Sequence, residues 1–183
     1  NKELKLKQSV MKLAQQKKYA EAKKVAVTLL KEFPKDVELW FALAQLQERL
    51  GEFEAAVRSY YKVCDGPSSR YVAAVERSVM LCLEHQLFTL GLAPARALIK
   101  LKPNSSGAYF NLGYFWFELK QYMAAEPFMV KASELDPDNA IIQASCGQIY
   151  TFIGQPEKAI SYLAKNQKLS FDEMPQHGSY TMT

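Results

Sequence analysis

The chain has 183 residues, of which 49% are hydrophobic and 23% charged. That composition is globular, and the length suits one compact domain or one repeat array. The net charge of +4 is mild, no apolar run approaches the ~18 residues of a membrane span, and no short apolar stretch follows a basic start. Neither a membrane span nor a secretory leader is therefore read, and the expected location is cytoplasmic. The chain opens Asn1-Lys2-Glu3 without a Met, which suggests processing or a larger parent. Three cysteines, Cys64, Cys82 and Cys146, lack CxxC spacing, and the two histidines, His85 and His177, have no ligand-spaced neighbours. No disulfide framework, metal or cofactor is expected. Phosphate-cradling, nucleophile-elbow, zinc-protease and calcium-loop motifs are all missing, so the chain reads as non-enzymatic.

In chain order, residues 1–35 come first, with ten lysines against three glutamates. Few aromatics are interleaved with them, so they read as a solvated helical surface and no nucleic-acid partner is expected. Pro34 follows this stretch, and Pro103 and Pro137 recur in similar polar turns, the last two 34 residues apart. Pro34 and Pro103 lie 69 apart, twice the period plus one, and the loop Asp65-Gly66-Pro67-Ser68-Ser69 accommodates the extra residue. Between the prolines, apolar residues recur at spacings of 3 and 4, which predicts two amphipathic helices per period. Gly51 and Gly154 suit the turn between the paired helices. Pro94 and Pro127 fall inside second helices, where each removes a backbone hydrogen bond.

The fourth unit carries Tyr109, Leu112-Gly113, Trp116, Tyr122, Ala125, Ala132 and Pro137; the second carries Trp40, Leu43-Ala44, Gly51, Phe53 and Ala56. The fifth keeps Gly147, Tyr150, Gly154 and Ala159, the first Leu13, Tyr19, Ala22 and Pro34, and the third is degenerate around Gly91 and Ala95. This pattern resembles the tetratricopeptide repeat. The resemblance implies an all-α, right-handed α-solenoid of about five helix-turn-helix units. The units are placed at 3–36, 37–71, 72–105, 106–139 and 140–169, an array over 1–169, with 170–183 as a polar tail or linker.

The resemblance also implies a scaffold that binds a peptide or partner helix in the groove lined by the first helix of each pair. The expected contacts are Phe41, Gln45 and Arg49 in the second unit and Arg77 and Met80 in the third. Phe110, Asn111, Tyr114 and Phe117 follow in the fourth, and Gln148 and Phe152 in the fifth. Phe110, Tyr114 and Phe117 form a second apolar face on their helix and would anchor an apolar partner. Arg49 and Arg77 read as partners of Glu48, Glu76 or Glu84. The family's carboxylate-clamp positions fall on Lys7, Met11, Ala42, Ala73 and Arg77, of which two match, so chaperone-tail binding is not expected. The family's asparagine ladder keeps only Asn111. The alternative function is a regulatory or substrate-presenting arm of a larger enzyme, such as a sulfotransferase or glycosyltransferase. Self-association through the array ends is a third reading.

Overall fold

The computed structural model describes residues 2–63 and 69–172, with side chains over 4–63 and 70–165. Among the described residues the secondary structure is helical throughout. It runs α1 (Lys2–Gln15), α2 (Tyr19–Glu32), α3 (Val37–Arg49), α4 (Phe53–Tyr61), α5 (Ser69–Glu84), α6 (Phe88–Leu101), α7 (Ser106–Glu118), α8 (Tyr122–Leu135), α9 (Ala140–Phe152) and α10 (Pro156–Asp172). Each odd helix pairs with the even helix after it. The chain divides into two compact units, 1–103 with three hairpins and 104–183 with two. The segment read as tail from residue 170 is helical as far as Asp172, because no Gly or Pro interrupts the chain after Pro156. Later tail residues, Cys64 and most of the 65–69 loop lie outside the described residues.

Every hairpin turns on one left-handed residue: Lys17, Gly51, Gln86, Lys120 and Gly154, with φ of 60°, 75°, 57°, 62° and 75°. The following N–H returns to the carbonyl five residues back, as in Lys18 to Leu13, Leu87 to Cys82 and Gln155 to Tyr150. This satisfies carbonyls that a helix end otherwise leaves open. Asp36, Ser105 and Asn139 cap the next first helices, accepting from the N–H groups of Leu39, Ala108 and Ile142. Each stands two residues after one of the repeating prolines. α6 and α8 run unbroken through Pro94 and Pro127.

Paired helices approach closely where both carry small residues. Ala44 and Ala56 are fully buried in the second hairpin. In the fourth, a Cβ built on Gly113 would lie 3.3 Å from the backbone nitrogen of Met129. The degenerate third hairpin places Val79 on α5 and Gly91 on α6 at the equivalent positions, both buried, so bulk has moved to the first helix. Between hairpins, α3 presents Leu39, Leu43 and Leu46 to a cluster holding Ala26, Leu29 and Leu30 of α2. In the second unit Ile142, Cys146 and Ile149 of α9 meet Met129 and Ala132 of α8. Each such large aliphatic contributes about 1.5–3 kcal/mol through burial.

Candidate functional site

In the first unit, α1, α3 and α5 line a groove of about 910 Å³ with mixed apolar and polar walls. Phe41 and Tyr60 meet edge to face, centroids 5.2 Å apart, and form its apolar wall. The Arg70 guanidinium lies 4.9 Å from the Phe41 ring centre. Met11, 64% exposed, reaches the groove from α1. His85 stacks on Phe53 at 3.5 Å between centroids, and both line the same groove.

One network organises the polar wall. The Glu48 carboxylate accepts from the Tyr60 hydroxyl at 2.5 Å and from Arg77 Nε and Nη2 at 2.9 and 2.6 Å. Arg77 Nη1 also donates to Glu84 at 3.3 Å. Burial, reinforced by the Glu48 carboxylate, pushes the Tyr60 hydroxyl above the usual tyrosine range. The Glu48 hydrogen bond raises Arg77 further. Arg77 is thus committed to carboxylates on its own protein. Glu76, a neighbour in sequence, pairs with Lys102 instead. Arg49 lines the groove, exposed, with no carboxylate partner among the described residues.

Of the expected contacts, Gln45, Arg49, Arg77 and Phe41 line this groove, Phe41 as a wall only 9% exposed. Met80, on α5, is exposed but is not among its lining residues. The second unit carries the rest. Phe110, Asn111, Tyr114 and Phe117 are half-buried on α7, with Phe110 and Tyr114 nearly parallel and 6.1 Å apart. Burial and the Glu118 carboxylate raise the Tyr114 hydroxyl. Phe117 joins Tyr122 and Phe152 in an aromatic cluster, where Phe152, 57% exposed, stacks on Tyr122 at 4.5 Å. Gln148 is exposed on α9. The α7 aromatics are therefore partly spent on packing against the α8–α9 cluster.

Sequence reasoning missed Tyr60 and the Phe53–His85 stack, because their partners lie 12 to 32 residues away in sequence. Cys82 and Cys146 are buried, and burial pushes both thiols up to about 12. Among the described residues no cluster of three or more His, Cys, Asp or Glu could hold a metal, and no helix is long and apolar enough to cross a membrane.

No curated protein matches the sequence. Solved structures do match over most of the chain. MamA from Desulfovibrio magneticus RS-1 is 20% identical, covers 94% of this chain and 97% of its own, and has a TM-score of 0.61. MamA AMB-1 is 15% identical, covers 96% and 94%, and has a TM-score of 0.66. YrrB, described as a TPR protein with an unusual peptide-binding site, is 16% identical, covers 90% and 84%, and has a TM-score of 0.62. At these identities the likeness is one of fold. Two family models described as the tetratricopeptide repeat match residues 11–69 and 106–139, together just over half of the chain. With five helix pairs turning at a period of 34 or 35 residues, the chain belongs to the tetratricopeptide repeat family.

Proposed function

We propose that the chain is a non-catalytic protein-interaction module that holds an extended partner segment in the groove of its first unit. One observation carries this reading. A groove of about 910 Å³ combines an apolar wall at Met11, Phe41 and Tyr60 with an exposed, uncommitted Arg49, while the neighbouring Arg77 is neutralised by Glu48 and Glu84. A segment bearing an aromatic or aliphatic side chain and a carboxylate fits that combination. The peptide-binding title of YrrB, a protein of the same fold, agrees with this use of the repeat.

The groove acids bear on the reading too. Glu48 and Glu84 are held by Arg77, so neither stands free to repel an acidic ligand. Panning a phage-displayed dodecapeptide library on the full chain tests the proposal. Selected peptides should pair an acidic with an aromatic residue and lose at least tenfold in affinity for Arg49→Glu, with a smaller loss for Met11→Ala. Peptides that bind Arg49→Glu as tightly as the parent chain would overturn it.

A further inference from the structure

The two ends of the repeat differ in chemistry. Within each unit, a first helix meets the preceding hairpin through residues spaced i, i+4 and i+7. In α3 these are Leu39, Leu43 and Leu46, and in α9 they are Ile142, Cys146 and Ile149, all buried. The same positions of α1, 34 residues before those of α3, hold Lys5, Ser9 and Lys12, with both lysines exposed. The array therefore begins with a face that water already satisfies, and stacking another helix on it would strip two ammonium groups of solvent.

The last hairpin repeats the receiving side without such protection. In the fourth hairpin Met129 of α8 is 1% exposed beneath α9, and the Glu126 carboxylate one turn earlier accepts from the Tyr150 hydroxyl of α9 at 2.9 Å. Thirty-four residues on, α10 places Leu163 and Ile160 at these positions, 40% and 67% exposed. Leu163 lies over Gly147 as Met129 lies over Gly113. Where a terminal repeat ordinarily turns polar, an acidic position has become isoleucine.

We infer that the α10 face at Ile160 and Leu163 is a docking site for an amphipathic helix of another protein, one whose aliphatic or small apolar residues recur at i, i+4 and i+7. Continuity with the α8–α9 interface sets that chemistry, because the next helix in the stacking order would meet the same pair of positions. A second copy docking through α1 is disfavoured, since Lys5 and Lys12 would come to rest on Ile160 and Leu163. The site lies wholly in the second unit and does not depend on the groove reading.

The test uses the full chain and two probes, residues 139–153 and residues 2–15 of this sequence, each fused to an inert soluble carrier. The α9 probe supplies the i, i+4, i+7 apolar face, and the α1 probe supplies its lysine counterpart. Saturable binding of the α9 probe is expected, reduced at least tenfold by Ile160→Glu and unchanged by Arg49→Glu, with no binding of the α1 probe. Ile160 is exposed, so its substitution leaves the fold intact, which far-ultraviolet circular dichroism checks. The inference is overturned if the α9 probe fails to bind, if it binds Ile160→Glu equally well, or if the α1 probe binds as tightly. A sedimentation dimer that Ile160→Glu disperses would assign the face to a second copy and overturn it as well.

Discussion

Replacing the left-handed turn residues should change stability in opposite directions according to what each hairpin now carries. Lys17, Gln86 and Lys120 hold the same positive φ as Gly51 and Gly154. For a residue with a side chain that conformation costs about 1–2 kcal/mol. Glycine avoids the cost but gives the unfolded chain freedom worth about 0.4–1 kcal/mol. The balance leaves Lys17→Gly stabilising by roughly 0.5–1 kcal/mol, and Gly51→Ala destabilising by a similar amount. The comparison is clean because an added Cβ at Gly51 meets nothing within 4 Å, so no clash confuses the backbone effect. Lys120→Gly should gain less, since the Lys120 ammonium also lies 5.9 Å from the Phe117 ring centre. In a chain of this length about 1 kcal/mol moves the thermal midpoint by ~2–4 °C. Hairpins of a repeat protein can open separately, so denaturant midpoints read by far-ultraviolet dichroism should accompany the melts. A destabilised Lys17→Gly together with a neutral Gly51→Ala would refute the turn reasoning.

Other consequences are equally open to measurement. Gly113→Ala should cost about 1–3 kcal/mol, because its methyl would press on the Met129 backbone of α8. Gly147→Ala should cost less although its nearest distance is shorter, at 2.7 Å, because the atom met is the Leu163 side chain, which can swing outward; urea titration of the two variants ranks them. Tyr60 and Tyr150 are raised above the ordinary tyrosine value, so the stability they contribute is intact below pH ~10 and lost as the pH climbs beyond it. Tyr60→Phe should therefore flatten the alkaline fall in denaturant midpoint without altering the neutral-pH slope. Asp36→Ala removes the α3 cap at Leu39 and should cost about 1 kcal/mol by the same assay, compounded by loss of the Lys7–Asp36 ion pair.

The period was written plainly in Pro34, Pro103 and Pro137 and in the small residues of each second helix, because close packing and turn closure restrict residue type there. Gly51 and Gly154 marked two turns for the same reason. Lys17, Gln86 and Lys120 did not mark theirs, since the long-range fit of paired helices, rather than local preference, imposes their backbone conformation. Gln143 is the clearest polar surprise. It is fully buried at the position Trp40 holds in the second hairpin, and its amide donates to the Pro137 carbonyl at 2.8 Å, as the Trp40 indole does to Pro34. Its amide also donates to Ser133, while its Oε1 has no partner, so an aromatic has been replaced by the one atom it used for bonding plus an unpaired oxygen. In the groove, residue type announced Arg77, but its main partner Glu48 lies 29 residues away and only the fold brings them together.

The groove reading rests on where a partner segment lies, which site-specific crosslinking reads directly. A benzophenone amino acid placed at Gln45 lines the groove, whereas one at Val27 on α2 is exposed outside it. With a library-selected acidic–aromatic dodecapeptide, light should produce a crosslinked product from the Gln45 variant, abolished by Arg49→Glu, and none from the Val27 variant. Crosslinking at Val27 and silence at Gln45 would contradict the account.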